Sequence, residues 1–121
     1  MNEAVISVID DDEATRSAVA GLMRAKGFKA RVFESAEEFL LSDGGASSKC
    51  IISDIHMPGL SGIQLKERLD ARNCTAPVIF ITALVEPRLQ SLAEACGAFC
   101  LLQKPFRALA LIDCVERALA A

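Results

Sequence analysis

The 121-residue sequence predicts an α/β fold, a parallel five-stranded sheet held between two layers of helices. Three observations lead there. Short apolar runs alternate with segments of helical period five times along the chain. Four of those runs are nearly continuous in apolar residues, as strands covered on both faces are. Four of them also end in a residue able to do polar chemistry, and in an open parallel sheet the carboxyl ends of the strands are where ligands bind.

The first run, AVISVID (4–10), reads as a strand, and Thr15, Ala18, Val19, Leu22 and Met23 then recur at helical spacing before Gly27, a plausible stop. KARVF (29–33) is polar enough for an edge strand. SAEE (35–38) has the Ser-x-x-Glu form of a capping box ahead of Phe39 and Leu40, while GGASS (44–48) is loop chemistry, so the second helix is short. KCIISD (49–54) is the third strand, and Ile63, Leu65 and Leu69 support the third helix. After PVIFIT (77–82), Pro87 at a first-turn position and Leu89, Leu92, Ala93 and Cys96 before Gly97 mark the fourth helix. AFCLLQK (98–104) is the fifth strand, and Ala108, Ile112, Val115 and Leu119 trace the fifth helix. Beside that stripe, Leu109, Leu111 and Cys114 widen the apolar surface beyond one core face, as at an interface.

Length and the absence of a composition break point to one domain, residues 1–121. A formal charge of −3 and a pI near 5.1 argue against a nucleic-acid footprint, which needs clustered Lys and Arg. No apolar run reaches the ~18 residues that span a bilayer, and the amino terminus does not have the form of a signal peptide. A cytoplasmic location without membrane contact is expected. Cys50, Cys74, Cys96, Cys100 and Cys114 read as reduced thiols in apolar stretches, and with His56 the only histidine a structural zinc site is disfavoured.

VIDDDE (8–13) raises a question of charge, because two unit charges ~4 Å apart repel by about 4 kcal/mol at an effective dielectric near 20. Such a cluster points to water or meets a cation. Asp12 suits the solvated cap of the first helix. In a sheet of order 2-1-3-4-5, however, strands one and three are neighbours, and Asp10, Asp11 and Asp54 reach one pocket. Hard oxygen ligands without imidazole or thiolate suit magnesium, with Asp11 and Asp54 as direct ligands and Asp10 acting through water; manganese would substitute. Thr82 and Lys104, at the ends of strands four and five, would complete a cradle for a phosphoryl group.

VIDDDE, SDIHMPGLSG, FITA and LLQKPF, in this order and at these spacings, resemble the receiver domain of bacterial two-component response regulators over residues 4–120, and most of all its nitrogen-fixation-regulator subgroup. The resemblance implies a flavodoxin-like fold and a set of roles. Asp54 matches the phosphate acceptor, and Asp10 and Asp11 the acidic metal pair. His56 matches the position whose backbone carbonyl completes the magnesium shell, and nothing pairs with its imidazole to make a second ligand. Thr82 matches the switch hydroxyl, Lys104 the lysine that contacts the phosphoryl group, and Pro105 a proline after a cis peptide. Two positions bear on the switch. Leu101 stands where many receivers carry an aromatic ring, and Ala83, after the threonine, leaves the acyl phosphate open to donor and water.

The implied function is a signalling switch, not an enzyme acting on a separate substrate: a sensor histidine kinase phosphorylates Asp54, and the change spreads to the face of the fourth helix, fifth strand and fifth helix. With Leu101 unable to swing a ring, the route runs through the loop of Ala83 to Glu86. Phosphorylation-enhanced homodimerisation and a transcriptional output are expected, the chain being the front of a longer regulator. The competing reading, a pseudo-receiver that only dimerises, is opposed by the complete set of acids, hydroxyl and lysine. A flavin carrier on the same fold is opposed by the acidic residues after strand one.

Overall fold

The computed structural model describes residues 4–84 and 86–121. Along the chain run β1 (Val5–Ile9), α1 (Glu13–Ala25), β2 (Lys29–Phe33), α2 (Ala36–Leu41), α3 (Gly44–Ser47), β3 (Cys50–Asp54), α4 (Gly62–Ala71), β4 (Val78–Thr82), α5 (Pro87–Ala95), β5 (Cys100–Gln103) and α6 (Ala108–Ala120). The five strands form one parallel sheet in the order β2-β1-β3-β4-β5, as predicted.

β3 and β4 are buried along their whole length, whereas β2, on the edge, is mostly not. Alternation along the central strands then divides the core in two. On one side Ile6, Val8, Cys50, Ile52, Ile79 and Ile81 meet α1 and α6. On the other, Ile9, Ile51, Val78 and Phe80 meet residues of α2, α4 and α5. Caps fix where the helices begin: Asp12 accepts from the Thr15 N–H, Ser35 from that of Glu38, and Ser61 and Gln64 form a full capping box at α4.

Three expectations change. The GGASS segment is not all loop. Its first four residues make the single turn α3, so the predicted fourth and fifth helices are α5 and α6. That turn follows from its surroundings, because glycine pairs are poor helix formers: Arg31 Nη1 reaches Asp43 Oδ1 at 3.2 Å and Ser47 Oγ at 3.0 Å, and the Cys74 thiol donates to the Gly45 carbonyl. Leu111 and Cys114 are core residues of α6 and add no outer surface; of the three, Leu109 alone, at 78% exposure, stands clear of the fold. The strands also end early, so that Asp10 and Lys104 lie just past β1 and β5. Val85, in the loop offered as the signal's route, lies outside the described residues.

Candidate functional site

Parallel strands end together, and here their ends bring charge together. Asp10 is fully buried and Asp54, the last residue of β3, nearly so, while Asp11 beside them is exposed. The Lys104 N–H donates to the Thr82 carbonyl at 2.7 Å, which carries the chain from β5 alongside the end of β4. From there the Lys104 ammonium spans both buried acids, 2.7 Å from Asp54 Oδ2 and 3.0 Å from Asp10 Oδ2.

The remaining carboxylate oxygens are held by backbone. Asp54 Oδ1 accepts from the His56 N–H at 3.0 Å, and Asp10 Oδ1 accepts from the Asp12 N–H at 2.9 Å. Arg16 Nη1 donates to the Asp10 carbonyl at 2.8 Å. Behind Asp54, α4 begins without a side chain in the way: a Cβ on Gly62 would lie 2.5 Å from the Asp54 carbonyl oxygen, and the Gly62 N–H donates to Ile55 at 2.9 Å. Glu37 reaches across from α2 to accept from the Leu60 N–H at 3.1 Å, fixing the loop that follows Asp54.

Burial raises the Asp10 carboxyl above its ordinary range and the charge of Asp54 adds to this, although the Asp12 N–H and Lys104 pull the other way. Burial would lower Lys104, but hydrogen bonds and charge from Asp54 and Asp10 outweigh it and raise the ammonium's pKa. Lys104 is therefore a fixed positive charge across the neutral range. Asp12 is held low, chiefly by the Thr15 hydroxyl, in keeping with its capping role.

One ammonium does not neutralise three acids. An oxygen from each of Asp10, Asp11 and Asp54 lies within 4.8 Å of the others, an all-oxygen set with one exposed member that fits a hard divalent cation. The predicted acids and lysine thus converge, and the other predicted positions are distributed around them. The Lys104–Pro105 bond is cis, as the resemblance implied. His56 turns its side chain outward and engages Asp54 through its N–H. Thr82 is fully buried, and its hydroxyl is taken up by Leu84, accepting from the N–H at 3.1 Å and donating to the carbonyl at 3.0 Å. Ala83 is exposed, and Leu101, opposite Phe80, packs into the core on the α5 side of the sheet. The Glu37 clamp was not predicted, and no local signal announces it, since a glutamate in the first turn of a helix already has a dipole to satisfy.

Comparison with known proteins agrees with this geometry. The family model described as response regulator receiver domain matches residues 6–116. The chain is 35% identical over 119 residues to the transcriptional regulatory protein TdiR of Thauera aromatica, covering 98% of this chain and 52% of that protein. It is 37% identical over 114 residues to the transcriptional regulatory protein FixJ of Bradyrhizobium diazoefficiens, covering 94% and 56%. It therefore spans about half the length of the curated relatives it matches. Among solved structures, the response regulator StyR superposes with a TM-score of 0.90 at 36% identity, covering 98% of this chain and 60% of that one. FixJ-N superposes at 0.88 and 28% identity, covering 99% and 96%. With the matched sheet order, the acid cluster and the lysine at the end of β5, the chain belongs to the response regulator receiver domain family.

Proposed function

We propose that Asp54 accepts a phosphoryl group from a sensor histidine kinase and that the modified domain controls a transcriptional output in the cytoplasm. The observation that carries this reading is the ammonium of Lys104 spanning Asp10 and Asp54 beside the exposed Asp11. A carboxylate so held is oriented, and its negative charge is partly offset before a phosphate donor approaches. An oxygen of Asp54 attacks phosphorus, the new O–P bond forms, the P–N bond to the kinase imidazole breaks, and the imidazole keeps the electron pair and takes a proton. Lys104 then has phosphoryl oxygens to contact in place of the free carboxylate. Asp10, Asp11, Asp54 and the His56 carbonyl would hold magnesium, or manganese in its place. When bound, the metal supplies charge neutralisation between donor and acceptor.

An open groove of about 610 Å³ lies beside Lys104, lined by Val19 and Leu22 of α1 and by Pro105, Phe106 and Ala108, and gives a donor protein an apolar footing next to the acceptor. The phosphoryl group adds about 1.5 to 2 negative charges near pH 7. Turning the Thr82 hydroxyl toward it releases Leu84, so the signal leaves through the start of α5 and reaches the face of α5, β5 and α6, where dimerisation follows. Leu92 and Leu109 are the large apolar residues that α5 and α6 leave exposed.

Incubation with acetyl phosphate and magnesium, followed by intact mass, tests the assignment. One phosphoryl group is expected, absent in Asp54→Asn and in excess chelator; equal labelling in either arm overturns it. Magnesium should also raise the melting temperature, less so in Asp11→Ala, because it binds a folded acid cluster that scarcely exists in the unfolded chain.

A further inference from the structure

Away from the acids, the thiols fall into two groups. Cys74 and Cys96 each donate to a carbonyl nearby, of Gly45 at 3.2 Å and Ala93 at 3.3 Å. Cys50, Cys100 and Cys114 all belong to the core beneath α1 and α6. Cys100 opens β5 and is half-buried, whereas Cys114 on α6 is buried. One guanidinium nitrogen serves both: Arg117 Nη2 lies 3.6 Å from Cys100 Sγ and 3.7 Å from Cys114 Sγ. Arg117 is itself positioned, its Nε 2.9 Å from Asp113 Oδ2 and its guanidinium carbon 5.9 Å from the centre of the Phe99 ring. A half-buried thiol and a buried one thus meet at a single guanidinium, so that the outer sulfur can be oxidised with the inner one placed to resolve it.

We propose that Cys100 and Cys114 are a redox pair, which hydrogen peroxide converts to a disulfide fastening β5 to α6. The Cys100 sulfur, beside the Arg117 guanidinium, attacks an oxygen of hydrogen peroxide as its proton passes to the departing oxygen; the S–O bond forms, the O–O bond breaks and water leaves, giving a sulfenic acid. Cys114 sulfur then attacks Cys100 sulfur as its proton passes to the departing hydroxyl; the S–S bond forms, the S–O bond breaks and water leaves. Two thiols lose two electrons, and the peroxide with both thiol protons becomes two waters. The order of roles follows from the environment: burial, with Cys100 adding to it, pushes the Cys114 thiol up to about 12, so it waits as the resolving thiol. The pair sits at the opposite end of β5 from Lys104, and its oxidation does not depend on phosphoryl chemistry.

The test is to treat the reduced full chain with hydrogen peroxide, block remaining thiols and map peptides without reductant. Expected are a linked Cys100–Cys114 peptide pair, an intact-mass loss of about 2 Da before blocking, two fewer free thiols and full reversal by dithiothreitol. Cys114→Ser should stop the reaction at a Cys100 sulfenic acid that dimedone traps, with Cys114→Ala as the alternative if the serine variant does not fold. Arg117→Met should slow oxidation several-fold without changing the circular dichroism, and Arg117→Lys should restore most of the rate. A linkage involving Cys50, Cys74 or Cys96, intermolecular disulfides as the sole product, or retention of all five thiols through prolonged treatment would overturn the pair.

Discussion

α5 and α6 flank the same strand and are attached to the fold in different ways. α6 buries Leu111, Ile112, Cys114, Val115 and Ala118, whereas α5 buries Ala93 alone and leaves Leu92 at 44% exposure. Apolar burial is worth about 1.5 to 3 kcal/mol for each large aliphatic side chain. α6 is therefore part of the global fold, and α5 is the helix that moves or opens at small cost. The proposed switch, beginning at Thr82 and Leu84 immediately before α5, would act on the weaker of the two. The strong helix would supply the frame against which that movement is read.

The difference is open to attack from both sides. Leu111→Ala should cost about 2 to 5 kcal/mol in urea unfolding, with no compensating collapse, because the side chain is fully buried in a closed core. A loss under ~1 kcal/mol would mean that α6 is not the anchor.

Next in size is an alkaline effect on the α6 side. Burial pushes the Cys50 thiol, beneath α6, from 9.0 up to about 12. A folded-state pKa above the unfolded one contributes stability that is whole below pH 9 and is lost as pH rises toward 12. The loss should be on the order of 4 kcal/mol, and the slope of unfolding free energy against pH in that window should flatten in Cys50→Ala. An unchanged slope would show that this thiol ionises freely in the fold.

Thr82→Ala removes both hydrogen bonds to Leu84 and should cost about 1 kcal/mol, with faster hydrogen exchange at Leu84 and through the first turn of α5. Equal acceleration in α6 would erase the distinction between the helices. The smallest effect is expected for Leu92→Ala, within about 0.5 kcal/mol of the parent, since its side chain is already in water to a large degree. A cost approaching that of Leu111→Ala would show that α5 is as firmly held as α6.

The five strands were legible in the sequence because doubly covered strands are written as unbroken apolar runs and the polar residues punctuate their ends, whereas their order came from the family resemblance and not from the runs themselves. Asp10, Asp11, Asp54 and Lys104 were legible for the same reason: they stand where parallel strands stop. What escaped was tertiary in origin. α3 depends on Arg31 and Cys74, remote in sequence, and its two glycines argue locally for a loop. Leu111 and Cys114 looked like surplus on a helical wheel because the stripe drawn through Ala108, Ile112, Val115 and Leu119 was narrower than the surface that β1, β3 and β4 offer. Glu37 acts on Leu60 across a gap of twenty-three residues, a pairing that no periodicity encodes. The partner of the Thr82 hydroxyl was likewise beyond reach, since a strand-end hydroxyl has both the pocket and its own loop within range.

Gly62 gives Asp54 a back wall. With the chain of α4 so close that a single added carbon would sit 2.5 Å from the Asp54 carbonyl oxygen, the end of β3 has no room to recoil in that direction. A load arriving on the carboxylate is thus met by a fixed jaw on the α4 side and a movable one on the side of β4 and β5, where hydrogen bonds rather than packed backbone oppose it. On the proposed function, the direction in which a message leaves would be set by what is unable to give way, and here that is the place of one missing methyl group.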